Sequence, residues 1–174
     1  MSNICFVYME LKFENEVKKN EFFKKYEKEF SDCKKCKEGY LVNMGNSTNK
    51  CYLQDPVIYD HANKEISINC WVAWAVEYND IKDIVKEFSN NGVKYLLCEY
   101  EELMNHILGK YIYENGKLTD YYLTDKQFYD VYDNHPYSKE ENFEDEDVYN
   151  DYHNKLYIEL RNNPTIKEVE IYDC

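Results

Sequence analysis

The chain has 174 residues, with 34 Asp and Glu against 21 Lys and Arg, which gives a formal net charge of -13 at pH 7. This charge argues against direct binding to nucleic acid or anionic lipid, since such binding needs Lys or Arg to displace counterions, and it predicts attraction to basic proteins instead. Aromatic residues make up 17% of the chain, which excludes a disordered chain, and no apolar run approaches the length of a membrane helix.

The length suits one domain spanning residues 1–174. The first residues alternate like a strand and lack the basic flank and cleavage site of a secretory signal, so we expect a cytoplasmic protein. The seven cysteines are an odd number. Cys5, Cys70 and Cys98 lie in apolar runs, where a reduced thiol acts as a small hydrophobe. These features predict a reducing compartment without a disulfide framework.

Six elements are predicted in the first hundred residues. They are, in order, a strand at 3–13, an amphipathic helix at 15–30, strands at 52–59 and 65–76, a helix at 79–90 and a strand at 93–100. In the first helix, the residues predicted to lie largely on one apolar stripe are Val17, Phe22, Phe23, Tyr26 and Phe30. A loop is predicted between the first helix and the second strand.

This order of elements is typical of a ferredoxin-like α+β fold, in which two helices cover one face of an antiparallel sheet. Asn115-Gly116 predicts a further hairpin after the sixth element, because Asn-Gly is the strongest short hairpin signal. Residues 166–172 alternate as an edge strand. We therefore expect a ferredoxin-like core at 1–120 and an acidic, aromatic extension at 121–174.

A family resemblance rests on three short stretches of the sequence. They are the opening Met1, Asn3 and Cys5, the strand bearing Trp71 and Trp74, and the run from Glu99, Tyr100 and Glu101 through Gly109, Tyr111, Tyr113, Asn115 and Gly116. Over about the first 120 residues the chain resembles the YubB-type ferredoxin-like family of plasmid and phage proteins. The resemblance implies a fold and a mobile-element setting, and it implies no catalytic residue.

Cys33 and Cys36 have the spacing of half a zinc site. Cys51, His61 or Cys70 are the candidates to complete four ligands, but a second pair with ligand spacing is missing. The alternative is two exposed thiols on a loop flanked by lysines. We expect no metal and no cofactor.

Glu99, Glu101, Glu102 and Glu114 are candidate carboxylates for a divalent-metal or glycosidase-like site. Alternation places Glu99 and Glu101 on one face of their strand. Because no Asp or His partner is near in sequence, the favoured interpretation is solvated charge at a strand edge. His61, His106, His135 and His153 are scattered among polar residues and receive no role.

Trp71 and Trp74 lie three residues apart on one predicted strand, so their side chains face opposite ways. One is predicted to lie in the core. The other is a candidate for an exposed interface anchor, because Trp is enriched among the residues that dominate binding energy.

Residues 120–151 contain eleven Asp or Glu against two Lys, a local charge of -9, interleaved with Tyr and Phe. One interpretation is a solvated surface, and the other is a binding surface that offers charge and aromatic contact area to a basic partner. The predicted partner-binding residues are Asp130, Tyr132, Asp133, Tyr137, Glu140, Glu141, Glu144, Asp145, Glu146, Asp147 and Tyr149.

The leading hypothesis is a non-enzymatic binding protein whose carboxylates imitate nucleic-acid phosphates and block a basic groove on a nuclease or nucleic-acid-binding complex. A phage or mobile-element anti-CRISPR inhibitor is its concrete form. The alternatives are an immunity protein that neutralises a nuclease toxin and a small zinc- or metal-dependent protein. Either a monomer or a homodimer is compatible with the sequence.

Overall fold

The computed structural model describes residues 4–33, 40–41, 52–73, 78–139 and 145–169. The strands are β1 (Ile4–Phe13), β2 (Tyr40–Leu41), β3 (Tyr52–Asp60), β4 (Glu65–Ala73), β5 (Val93–Glu102), β6 (Ile107–Glu114), β7 (Lys117–Tyr122) and β8 (Thr165–Val169). The helices are α1 (Glu16–Cys33), α2 (Tyr78–Asn90), α3 (Asp125–Asp133) and α4 (Glu146–Asn162). Short 3-10 turns occur at Leu103–Asn105 and Pro136–Ser138.

Seven strands form one antiparallel sheet in the order β3-β4-β1-β5-β6-β7-β8, and the two-residue β2 pairs with β3 beyond its edge. The predicted α+β class and the antiparallel sheet are therefore confirmed. The sheet is larger than the four strands of a ferredoxin-like fold, because β6 and β7 form a hairpin beside β5 and β8 pairs with β7.

One face of the central strands is fully buried. Met9 of β1 lies opposite Ile68 of β4 and Cys98 of β5, and the alternating residues of all three strands repeat this pattern. The buried residues of α1 and α2 belong to the same hydrophobic cluster, where the rings of Phe22 and Phe88 are 5.1 Å apart. We call this side of the sheet the core face.

Three cysteines lie within this core. Cys5, Cys70 and Cys98 are reduced and at most 1% exposed, which agrees with their predicted use as small hydrophobes. The prediction for Val17 of α1 was wrong, because Val17 is exposed while Lys19 is buried. The Lys19 ammonium forms an ion pair with Asp60 at 2.8 Å and donates to the His61 carbonyl, so its stem covers the end of the core.

The predicted hairpin between β6 and β7 turns at Asn115 and Gly116. Both residues have positive φ, at 53° and 79°, as a type I′ turn requires. Gly109 of β6 also needs to lack a side chain, because the Tyr100 ring lies across its Cα. From there the Tyr100 hydroxyl reaches Asp120 of β7, to which it donates a hydrogen bond of 3.0 Å.

A second cluster, here called the C-terminal cluster, joins α3 and α4 to the end of the β6–β7 hairpin. It consists of Leu108, Leu123, Phe128, Tyr152, Leu156 and Leu160. Leu108 lies opposite Glu101 in the β5–β6 register, on the side of the sheet away from the core face. The two helices of the acidic extension therefore pack near the end of the sheet side that α1 and α2 leave uncovered.

We call this second side of the sheet the outer face. Its central strands present four rows of aligned side chains. From β4 through β1 to β5, the rows are Trp71–Phe6–Glu101, Asn69–Tyr8–Glu99, Ser67–Glu10–Leu97 and Glu65–Lys12–Tyr95. Most of these side chains are partly or fully exposed.

Candidate functional site

Local capping residues determine where the two helices of the acidic extension begin. The Thr124 side chain accepts from the Gln127 amide, and the Gln127 side chain accepts from the Thr124 amide, so α3 begins with a capping box. Asp145 caps α4, because its carboxylate accepts from the amides of Asp147 and Val148 at 3.0 and 3.1 Å. Both helices then bury one apolar stripe in the C-terminal cluster.

Five of the eight predicted acidic residues lie in the described part of the chain, and all five are exposed. Asp130 and Asp133 are exposed on α3, and Asp145, Glu146 and Asp147 are exposed at the start of α4. The remaining three, Glu140, Glu141 and Glu144, lie outside the described residues.

These exposed acids differ in how far they are neutralised. Asp130 forms an ion pair with Lys126 at 2.6 Å. Among the described residues, no lysine or arginine lies within ion-pair distance of Asp133, Glu146 or Asp147. Glu146 and Asp147 lie in the first turn of α4, where the helix dipole favours negative charge. The fold therefore tolerates concentrated negative charge at this position.

Two of the three predicted tyrosine anchors are packing residues of the helix layer. Tyr132 and Tyr137 are partly buried against the C-terminal cluster, with their ring centroids 6.0 and 5.1 Å from that of Tyr152. Tyr149 is 39% exposed, and its ring lies 5.6 Å from that of Tyr137. Of the three, Tyr149 is the side chain with an exposed ring to offer a partner.

His135, to which the sequence analysis assigned no role, connects the segment after α3 to α4 by hydrogen bonds. Its ring is 3% exposed and its Nδ1 accepts the Tyr137 amide at 3.1 Å. The Nε2 atom therefore carries the proton and donates to Asp151 at 3.0 Å. The hydrogen bond from His135, together with Lys155, lowers the pKa of the Asp151 carboxyl.

Glu101 connects the helix layer to the outer face. Its Oε2 accepts a hydrogen bond from the Tyr157 hydroxyl at 2.7 Å and lies 3.1 Å from Nε2 of His153, both on α4. Burial raises the pKa of the Tyr157 phenol, and the nearby Glu101 carboxylate raises it further. The favoured interpretation of Glu101 as solvated strand-edge charge was wrong, since β5 is an inner strand and a histidine contacts this carboxylate.

The four candidate carboxylates do not meet at one point of the sheet. Glu99 shares the outer face with Glu101, as alternation predicted, and Glu102 belongs to the opposite side of β5. Glu114 is exposed at the far end of β6, opposite Tyr95. No group of three or more potential metal ligands occurs within the described ranges.

The candidate zinc ligands that lie in the described part of the chain are not brought together. Cys70 is buried on the core face, whereas the His61 ring bonds to Ser67, a residue of the outer face, at 2.7 Å. Because they lie on opposite sides of the sheet, His61 and Cys70 cannot both be ligands of one ion. Cys33 is the last residue of α1, and Cys36 and Cys51 lie outside the described residues.

Trp71 lies on the outer face and is 43% exposed, with its ring 5.1 Å from that of Phe6 in an edge-to-face arrangement. Trp74 lies outside the described residues. The outer-face aromatic residues Phe6 and Tyr8 were not named as site residues. The alternation of β1 holds the signal that would have found them, because it turns both away from Cys5, Val7 and Met9.

Comparisons with known proteins give no further guide: no family model, curated protein or solved structure matches this chain. Within the described parts, no helix is long and apolar enough to cross a membrane.

Proposed function

We propose that this chain is a non-enzymatic acidic binding protein that blocks a basic, nucleic-acid-binding surface of a protein partner. Its concrete form is a phage or mobile-element inhibitor of a host defence nuclease, such as an anti-CRISPR protein. It acts by occupancy, because carboxylates held on a packed layer take the place of phosphates on the partner's Lys- and Arg-lined groove. It needs neither a cofactor nor a catalytic residue.

The single observation that carries the proposal is the charge left unneutralised on the helix layer. Asp133, Glu146 and Asp147 are exposed and have no cationic partner among the described residues. They lie on helices that share one packed cluster, so their spacing is fixed before a partner arrives. Preformed spacing reduces the ordering entropy that binding costs. Tyr149 adds an exposed ring beside these charges.

The first 120 residues suit this function as a small scaffold for the acidic extension. We propose a ferredoxin-like core related to the YubB-type family, extended by β6, β7 and β8. The strand order β3-β4-β1-β5 and the shared cluster of α1 and α2 support it. A mobile-element origin would suit a small inhibitor, and the same binding physics would serve an immunity protein against a nuclease toxin.

The test begins with the full-length chain as bait in a lysate of its native host, and the captured proteins are identified by mass spectrometry. The proposal expects a basic nuclease or nucleic-acid-binding protein whose binding to nucleic acid is lost when the chain is added. Binding to the purified partner should weaken steeply with salt, because it depends on exposed charge.

A charge-reversal pair then tests the site. Glu146→Lys with Asp147→Lys is expected to weaken partner binding by at least about 10-fold, whereas Asp145 is left intact because it caps α4. The matched control, Glu14→Lys with Glu27→Lys, makes the same charge change at exposed positions in the region of α1. Equal binding by the two double variants would contradict the proposed site. A captured partner that is not basic would contradict the proposed function.

A further inference from the structure

We propose that the outer face of the sheet binds an extended, arginine-bearing segment of the protein partner, with the guanidinium groups on Trp71, Phe6 and Tyr8 and beside Glu99. The inference rests on the proposed function, since it names a second surface for the same basic partner. Its own evidence comes from β1, β4 and β5, far in sequence from the acidic extension.

The first observation is the exposure of aromatic rings on an inner part of the sheet. Trp71 lies on β4 and Phe6 and Tyr8 on β1, and these two strands occupy neighbouring inner positions. Trp71 is 43% exposed, and Tyr59 of β3 is 45% exposed two rows away. A Trp ring that is accessible in this way is the preferred surface for a cation. Trp and Tyr are also the residues most enriched at the energetic centres of interfaces.

The second observation is the negative charge that surrounds these rings. Burial raises the pKa of the Tyr8 phenol, and the charges of Glu10, Glu99 and Glu65 raise it further. Burial also raises the pKa of Tyr95 in the next rows, and Glu10 raises it again. The electrostatic potential at both tyrosine hydroxyls is therefore made more negative by the glutamates of the outer face. A positively charged group on this face would be stabilised by the same field.

The third observation is which of these charges remain available. Lys12 is held between Glu10 and Glu65, at 3.1 and 3.2 Å. Glu99 forms no ion pair within the described part of the chain, although Lys110 lies directly across from it on β6. The Lys110 ammonium instead lies over the Tyr121 ring, 5.9 Å from its centroid. Among the carboxylates that β1, β4 and β5 present on this face, Glu99 is therefore the one that makes no ion pair with a described residue.

Arginine suits this arrangement better than lysine or nucleic acid. Its planar guanidinium stacks on aromatic rings and donates up to five hydrogen bonds, which carboxylates accept in pairs. Nucleic-acid bases also stack on such rings, but Glu10, Glu99 and Glu101 would repel their phosphates.

The size of the face indicates a segment and not a whole domain. The five strands β3, β4, β1, β5 and β6 lie about 4.8 Å apart, and the four rows of side chains lie about 7 Å apart along the strands. Together they cover roughly 20 Å by 20 Å, or ~400 Å². A standard interface buries about 800 Å² on each partner. The face continues through Glu101 to His153 and Tyr149 of α4, so one partner can contact both surfaces.

The experiment titrates the full-length, isotope-labelled chain with a blocked oligo-arginine peptide and follows amide and indole resonances by NMR. An oligo-citrulline peptide of equal length is the neutral control, and single-stranded oligouridylate is the nucleic-acid probe. The proposal expects shifts at Phe6, Tyr8, Trp71 and Glu99 with the arginine peptide, and none with citrulline. Trp71→Ala is expected to weaken peptide binding by at least about 10-fold and Glu99→Gln by about 3-fold.

The matched control is Tyr129→Ala, which removes a ring that is 52% exposed on α3 and is expected to change peptide affinity by less than about 2-fold. Shifts confined to α3 and α4, or an unchanged affinity of Trp71→Ala and Glu99→Gln, would overturn the inference. Tighter binding of oligouridylate on the outer face would also overturn it. The proposed function is judged separately, by partner capture and by the Glu146 and Asp147 reversal.

Discussion

Replacing Asp120 with Asn is expected to stabilise the protein at neutral and alkaline pH. The Asp120 side chain is 8% exposed on the core side of β7, where it accepts the hydrogen bond from Tyr100. Burial raises the pKa of Asp120 from 3.8 to about 6, and the Tyr100 hydroxyl and the Lys167 charge oppose this only in part. Asn keeps an oxygen for the Tyr100 hydroxyl and has no charge to desolvate.

The magnitude follows from the shifted pKa of Asp120. A rise of about two pKa units corresponds to about 3 kcal/mol. Because the folded-state pKa lies above the unfolded value, this carboxyl contributes stability that is complete below about pH 4 and lost as the pH rises through about 6. Asp120→Asn should therefore raise the free energy of unfolding by about 1–3 kcal/mol at about pH 8. About half of that advantage should remain at about pH 5.

The assay is urea unfolding followed by circular dichroism at both pH values, for the wild-type chain, Asp120→Asn and Asp133→Asn. The Asp133 variant removes an exposed acid and is expected to change stability by less than about 0.5 kcal/mol. Comparing variants at each pH cancels the titration of the other carboxylates. The reasoning would be refuted if Asp120→Asn were less stable than the wild-type chain at pH 8. It would also be refuted if the gain in free energy of unfolding were the same at both pH values.

Three further substitutions test the fold around the site. Gly109→Ala should lower the free energy of unfolding by about 2–4 kcal/mol in urea, because the new Cβ would overlap the Tyr100 ring; an unchanged midpoint would contradict this. Thr124→Ala should cost about 1 kcal/mol in the same assay through loss of the α3 cap, and Thr124→Ser should recover most of it. His135→Ala should lower the melting temperature more than Asp151→Asn, because only the former leaves the partly buried Tyr137 amide without its acceptor. The reverse order would contradict this role of His135.

The elements with strong local signals could be predicted from the sequence. Alternation located β1 and β4, the spacing of Ile81, Ile84, Val85 and Phe88 located α2, and Asn115-Gly116 located the turn between β6 and β7. Each signal is encoded within one element and matches the period of that element. Val17 shows the limit of this reasoning. It lies five residues before Phe22 and therefore off the buried face of α1, whereas Lys19 lies on that face and is buried with Asp60 as its ion-pair partner.

The helices of the acidic extension were harder to predict, since charge obscures their apolar period. Tyr152, Leu156 and Leu160 recur every four residues and are buried, which is the signal for α4. The contact between Glu101 and His153 joins positions 52 residues apart, and no local pattern encodes such a pair. The sheet extension by β8 likewise depends on a long-range pairing. The acidic residues of the extension could be listed from the sequence, and the outer-face residues of β1 could have been found from its alternation, but the contact between the two surfaces could not be predicted.

The placement of charge in this fold also determines how binding can be tested. On the outer face, Glu10 and Glu65 share Lys12, whereas Glu146 and Asp147 rely on the amino-terminal end of α4. Reversing them to Lys therefore removes partner-binding charge and also opposes the helix dipole, at about 0.3–1 kcal/mol for each residue. Glu146→Gln with Asp147→Asn separates the two effects, because it removes the charge without opposing the dipole. If the neutral pair loses partner affinity while its unfolding midpoint stays close to that of the wild type, the loss comes from the carboxylates and not from fraying of α4.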